Sequence, residues 1–247
     1  MICFVDIEHE KVLLDPARRT GHLAACLDIQ LRLEEISGRP CIVQRFERVT
    51  RRRLAGLGVE ALVISGNATD WAEYAGDAWT EMHAIIRAAE MPIIGFCGGH
   101  QLIAMAHGAA IGPIRPLRPG EPDVTKLSRP GFFKEWGFVP VRVLQADPIF
   151  AGLGPTPIFL EAHYWEVKTL PPGFTSLAAT DECPIQAMRQ AGKPVYGTQF
   201  HPEAYTEVAY ERRSQLVNLT FPEGCAEPQP AGRKLLENFF RVAGIIE

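Results

Sequence analysis

Cys97, His201 and Glu203 are the residues of this chain whose types and surroundings could do chemistry. Cys97 ends the apolar run Pro92-Ile-Ile-Gly-Phe-Cys97 and is followed by Gly98-Gly99-His100-Gln101. His201 ends the run Tyr196-Gly-Thr-Gln-Phe-His201, with Glu203 two positions on. A thiol is a weak nucleophile until a base or a positive field makes it a thiolate. A strand, sharp turn and helix would set Cys97 on an exposed, strained corner, and the tight backbone needs the small neighbours Gly95, Gly98 and Gly99. The helix beginning near His100 would point its positive end at the sulfur and lower the thiol pKa. The Gly98 N–H would then face an oxyanion forming on an acyl group bound to Cys97. Alone, this pattern fits a buried cysteine in a glycine-rich turn equally well. His201 tips the balance, because Pro202 holds the chain extended and lets the Glu203 carboxylate reach the imidazole. A base so held is kept in one tautomer and stabilised as imidazolium. The predicted chemistry is acyl transfer through a cysteine.

Positioning such residues takes a sheet, and the chain has the pattern of one. Strands are predicted at Ile2–Ile7, Pro40–Phe46, Ala61–Ser65 and Pro92–Phe96. Between them lie helices at His22–Ser37, Trp79–Ala89 and His100–His107. In the first helix Leu23, Leu27, Leu31 and Leu33 are read as the apolar side. This β-α-β rhythm with nearly continuous apolar strands argues for a parallel sheet covered by helices on both faces. From about Gly112 to Pro155 the prolines 113, 116, 119, 122 and 130 rule out a long helix, and Phe138–Leu144 reads as a strand of an antiparallel section. Ile158–Glu161, Ser176–Thr180, Ile185–Arg189 and Val195–Phe200 continue the strands. Arg233–Val242 reads as a closing helix with Leu235, Leu236, Phe239 and Phe240 on one face, after a loop over Phe221–Gly232.

The 247 residues are 47% hydrophobic and carry a formal net charge of -4. That length suits one large α/β domain over residues 1–247. Weak acidity gives no reason to expect nucleic acid or an anionic membrane as partner. The opening residues read as a buried strand, not as a leader, and no apolar run approaches the roughly 20 residues that span a bilayer. The expectation is a soluble, cytoplasmic protein. Its six cysteines (3, 26, 41, 97, 183 and 225) show no CxxC pair, which predicts free thiols and neither a zinc framework nor a disulfide scaffold. His100 and His107, seven apart with no third ligand at useful spacing, predict no metal. Arg51-Arg-Arg53 reads as a solvated helix face.

Gly95-Phe-Cys97-Gly-Gly99-His-Gln101 and Gln199-Phe-His201-Pro-Glu203 resemble the two signature motifs of class I (triad) glutamine amidotransferases. Glu135-Trp-Gly-Phe-Val139, His163-Tyr-Trp-Glu-Val-Lys-Thr-Leu-Pro171 and Gly173-Phe-Thr-Ser-Leu-Ala178 extend the similarity over nearly the whole chain. The resemblance implies a flavodoxin-like three-layer α/β sandwich with a mostly parallel mixed sheet. It implies that Cys97 attacks the side-chain amide of glutamine. His201 would protonate departing ammonia and then activate water against the glutamyl thioester, while Glu203 holds His201. Gln101 would help to bind glutamine, and no cofactor is implied. Ammonia used for synthesis would go to an acceptor site on a separate synthetase subunit in trans. The rivals are a stand-alone hydrolase of γ-glutamyl amides or peptides and a catalytically silent regulatory module of the same fold.

Three positions depart from the family pattern. Its Gly-Gly-Pro loop, which lends an N–H to the oxyanion hole, reads Ser65-Gly66-Asn67 here, so Gly66, Asn67 and Gly98 are the candidates for the hole. Gly98 replaces a frequently bulkier residue, which predicts a looser nucleophile turn. The family's His-x-Asp contact for the substrate amino group reads His163-Tyr164-Trp165-Glu166. Its two aromatics either contact substrate or pack beneath the site.

Overall fold

The strands alternate their side chains between two apolar layers, and this decides the architecture. The computed structural model describes residues 1–124, 129–204 and 231–247. In β1 (Ile2–Asp6), Ile2 and Phe4 join one buried cluster while Cys3 and Val5 join the other. β2 (Cys41–Arg45) and β3 (Ala61–Ile64) flank β1, and β4 (Ile93–Phe96) pairs with β3, all in parallel. With both faces covered, each strand is apolar on both sides, as the continuous runs predicted.

Two helices cover the first face: α2 (Pro16–Ser37), through Cys26, Leu33 and Ile36, and the last helix, residues 231–242, through Leu235, Leu236, Phe239 and Phe240. The second face is covered by α3 (Arg51–Gly56), α4 (Thr80–Ala88) and α5 (Gly98–Ala106), which bury Leu54, Met82, Ile85, Ile86, Leu102 and Ile103. A short α1 (Glu10–Leu14) precedes α2, whose start is set by Asp15 accepting from the Ala17 N–H and by Pro16 in the first turn. The chain is therefore a three-layer α/β sandwich with helices on both faces of the sheet.

Beyond β4 the chain builds β5 (Ile111–Pro113), β6 (Glu135–Pro140), β7 (Arg142–Val143), β8 (Ile158–His163), β9 (Trp165–Val167), β10 (Phe174–Ala179), β11 (Ala187–Gln190) and β12 (Val195–Thr198). The central sheet has eight strands in the order β2-β1-β3-β4-β12-β11-β10-β7. β12 is parallel to β4, whereas β12/β11, β11/β10 and β10/β7 are antiparallel. β5/β9 and β6/β8 form two further antiparallel ladders, so the predicted strand over 138–144 is two strands in different sheets, with a break at Val141. The last helix, here α6 (Ala231–Val242), starts two residues before the prediction. Residues 221–230 of the predicted loop lie outside the described residues, while 231 and 232 belong to α6.

One expectation about packing fails. Leu33 is fully buried, but Leu23, Leu27 and Leu31 are 47%, 52% and 53% exposed. Leucines at a spacing of four drift around the helix by about 40° per step, so they cannot all share the face that Cys26, Leu33 and Ile36 present to the sheet. Arg51, Arg52 and Arg53 are exposed at the start of α3, as read. Among the described residues no helix is long and apolar enough to cross a membrane. Cys3, Cys26, Cys41 and Cys183 are free and buried, and Cys97 is buried too; Cys225 lies outside the described residues.

Candidate active site

The parallel pairing of β4 with β12 brings the two distant motifs together. Phe96 pairs with Thr198, and the Cys97 N–H donates to the Thr198 carbonyl at 2.8 Å. Cys97 and His201 thus leave neighbouring strands at the same carboxyl edge, where open α/β sheets place their ligands. Gly66, at the end of β3, marks where they meet. A methyl group grown on it would lie 3.2 Å from His201 Cε1 and 3.3 Å from Cys97 Cβ. His201 Nδ1 lies 2.7 Å from Glu203 Oε1, so the carboxylate orients the imidazole, and Arg32 of α2 donates to the Glu203 carbonyl. His201 and Glu203 are buried.

Cys97 has φ 50 and ψ -104, a backbone conformation that side-chain-bearing residues rarely adopt. It is the strained corner that the sequence predicts, but not an exposed one: Cys97 is only 6% accessible. The turn is held by close backbone approach. A methyl group on Gly95 would lie 2.5 Å from the Gly99 carbonyl oxygen, and one on Gly99 would lie 2.5 Å from the Ile64 carbonyl oxygen.

The structure gives Gly98 a different reason from the looser turn expected of it. A methyl group there would lie 1.8 Å from Asn67 Oδ1, so the Asn67 side chain occupies the space that a bulkier residue at 98 would fill. The Asn67 amide nitrogen is 3.1 Å from the same point, so the two candidate oxyanion donors belong to residues in close contact. The two departures compensate each other. Accordingly, Gly98→Ala is expected to cost tenfold or more in turnover, and Asn67→Gly to restore most of that loss. Their double-mutant cycle should show a coupling of about 1–3 kcal/mol, the range for residues in contact. Additive losses in kcat/KM would contradict the compensation.

The loop beyond Gly66 is pinned from several sides. Ser65 Oγ accepts from the Ile7 N–H at 3.0 Å and donates to the Gly66 carbonyl at 2.9 Å. The buried Glu8 carboxylate accepts from the Ala68 N–H at 2.7 Å and the Thr69 N–H at 3.3 Å. Glu8 was not singled out in the sequence, where an acid just past a strand carries no distinguishing signal.

Gln101 and His163 are linked through the Trp165 carbonyl beside this site, while Tyr164 bonds elsewhere. Gln101 Oε1 accepts from Trp71 Nε1 at 2.7 Å, while its Nε2 donates to the Trp165 carbonyl at 2.9 Å and to Gln199 Oε1 at 3.0 Å. The Trp165 carbonyl also accepts from His163 Nδ1 at 2.8 Å. The far nitrogen of His163 faces Glu135 at 2.9 Å and Glu161 at 3.2 Å, deep in the protein. The Tyr164 hydroxyl donates to Asp70 Oδ2 at 2.6 Å.

Burial opposes the His163 imidazolium, but the Glu135 and Glu161 carboxylates outweigh it, and its pKa is raised to about 10. Burial raises the Glu161 carboxyl to about 7, against the lowering influence of His163. Both groups therefore hold protons in the fold that the unfolded chain would release. Their contribution to stability is full at low pH. It falls as pH rises past the ordinary carboxyl value of 4.5 towards 7, and again from 6.5 towards 10. Denaturant midpoints between pH 5 and pH 10 should fall more steeply for the native chain than for a Glu161→Gln, His163→Gln variant; parallel curves would contradict this. His100 is fully buried, and that burial lowers its pKa to about 3, so its imidazole is neutral.

Among the described residues, two groups of side chains have the spacing of metal ligands: Asp6, His22 and Cys26, and Glu135, His163 and Cys183. In the first, Asp6 is bonded to His22 at 2.9 Å and paired with Arg45 at 3.0 Å. In the second, Glu135 already accepts from Thr180, Gln186 and His163, and His163 carries a proton where a metal would need a lone pair. In both groups the carboxylate is already engaged by protein donors.

Comparison with known proteins decides the family. The family described as Glutamine amidotransferase class-I matches residues 30–213. The chain belongs to the class-I glutamine amidotransferases. This amidotransferase is 36% identical over 140 residues to a glutamine-hydrolyzing GMP synthase subunit of Methanosarcina mazei, a match covering 57% of this chain and 63% of that protein. The corresponding GMP synthase subunit of Thermococcus kodakarensis is 36% identical over 137 residues, covering 56% of this chain and 62% of the relative. The chain thus spans less than two thirds of the length of these relatives. The solved structure of a glutamine amido transferase from Methylobacillus flagellatus superposes with a TM-score of 0.66 at 17% identity, covering 100% of this chain and 95% of that one. The flavodoxin-like fold is therefore shared by proteins with little sequence in common.

Proposed function

We propose that this amidotransferase hydrolyses the side-chain amide of glutamine through a cysteinyl thioester. The observation that carries the reading is the convergence of Cys97 and His201 on Gly66, with Glu203 bonded to His201. Cys97 Sγ attacks the γ-carbonyl carbon, its proton passing to His201. The backbone amides of Asn67 and Gly98, residues in close contact, supply the donors for the developing oxyanion in this reading. Collapse of the tetrahedral species breaks the C–N bond, and ammonia leaves with the proton held by His201. Water then attacks the thioester with His201 as base, releasing glutamate and restoring the thiol.

Ammonia made this way can serve a synthesis only if an acceptor site lies close by. We assign that site to another polypeptide docked near the Cys97 edge. The reading is supported by relatives whose names make each of them one subunit of a glutamine-hydrolyzing GMP synthase, which implies a further polypeptide there. The deciding experiment is a glutaminase assay on the isolated chain, with γ-glutamyl peptides and amines in parallel. Release of ammonia from glutamine supports the proposal. Turnover of γ-glutamyl amides alone would make the chain a stand-alone hydrolase, and inertness towards both would make it a regulatory module.

A further inference from the structure

The charges of α2 are set against the helix that carries them. Backbone dipoles make a helix positive at its first turn and negative at its last, so acids suit the first and bases the last. The first turn of α2 holds Arg18 and Arg19 and no acid; the last holds Glu34 and Glu35 and no base. The two acids have local uses, since Glu34 Oε1 accepts from the Cys41 N–H at 2.8 Å and Glu35 Oε1 accepts from Arg233 at 2.6 Å. Even so, Glu35 stays 60% exposed, with room on its carboxylate for a further donor. Arg19 is exposed and reaches no acid among the described residues. The stability of α2 does not account for this arrangement.

Arg19, Leu23, Leu27, Leu31 and Glu35 follow one another at a spacing of four, and all five are exposed. They form one ridge on the helix, about 24 Å from end to end at 1.5 Å per residue. Three of the eight large apolar side chains exposed among the described residues fall in this ridge. Single exposed leucines are ordinary, but a row of them between charged ends has the make-up of a contact surface. The ridge is also complementary to itself. A half-turn about Leu27 sets Arg19 against Glu35, Leu23 against Leu31 and Leu27 against its own copy. Ridges of this spacing interdigitate when two helices cross at about −50°, the commonest class of helix packing. Each charge that opposes its own helix dipole then meets the opposite charge, and the favourable dipole end, of the other helix.

We propose that this ridge of α2 docks on the same ridge of a second copy of the chain. The contact is two-fold and closes as a dimer, with three leucines from each chain at its centre and an Arg19–Glu35 pair at either end. Its small size and exposed ion pairs make it a weak, reversible association.

Sedimentation equilibrium of the full chain between about 1 μM and 1 mM tests the proposal. The native chain should pass from monomer to dimer in that range. Leu27→Lys should stay monomeric, because it brings two ammonium groups together at the two-fold. Arg19→Glu and Glu35→Arg should each weaken the dimer at least about tenfold, since each reversal puts like charges together at both ends. Both reversals suit the helix dipole, so neither threatens α2. An equimolar mixture of these two variants should recover the dimer, as heterodimers in which both end pairs are again opposite in sign. A loosened or misfolded helix gives no such recovery. A native chain that is monomeric throughout, a dimer unmoved by Leu27→Lys or by the single reversals, or a mixture no more dimeric than its components would overturn the proposal.

Discussion

Cys97→Ala is expected to lower glutamine hydrolysis by about four powers of ten or more, as removal of a covalent nucleophile does. Among the described residues no other cysteine lies at the β4–α5 turn to replace its sulfur. The other described cysteines, 3, 26, 41 and 183, are buried in the strands, helix and loops of the core, not at the β4–α5 turn. The fold should survive. Alanine keeps the β-carbon and the same unfavourable φ, and loss of one buried sulfur leaves a small void costing about 1–2 kcal/mol. Turnover and thermal midpoint measured on one preparation check both halves. A variant with most of its turnover would refute the nucleophile; an unfolded one would show that the thiol is needed for packing.

His201→Ala is expected to be nearly as damaging, because the thiol loses its proton acceptor and ammonia loses its proton donor. Glu203→Gln should lose about one to two powers of ten less than His201→Ala, since a triad's orienting acid contributes less than its nucleophile and base. The amide keeps an oxygen within reach of His201 Nδ1, 2.7 Å from the present carboxylate, but not the charge that stabilises the imidazolium. The ordering is checked by kcat/KM for the three variants on one substrate. Equal losses for Glu203→Gln and His201→Ala would mean that charge dominates orientation. An unimpaired His201→Ala would remove the proposed base.

The fold was legible wherever burial on both faces wrote itself into the residues. β1, β3, β4 and β12 are short apolar runs, and their parallel pairing follows from the helices between them. α2 misled because four leucines in sixteen residues imitate a buried face, whereas a spacing of four turns three of them towards solvent. The break at Val141 was missed because Phe138–Leu144 is otherwise strand-like; its one local signal is Pro140, which cannot donate to a ladder and ends β6. The candidate triad could be read because each member follows a strand, and the strand order then brings them to one edge. Glu8 could not, since what distinguishes it is a loop folding back from 60 residues away. The Asn67–Gly98 compensation was likewise invisible: each residue alone looks like a weakened motif, and only their contact shows them as a pair.

The most direct measurement is the fate of a glutamine-analogue diazoketone offered to the folded chain, located by peptide mass spectrometry. One equivalent of label is expected on Cys97, slowed by added glutamine and slowed further in His201→Ala. Label on another of the six cysteines, or none on Cys97 in protein shown to be folded, would contradict it.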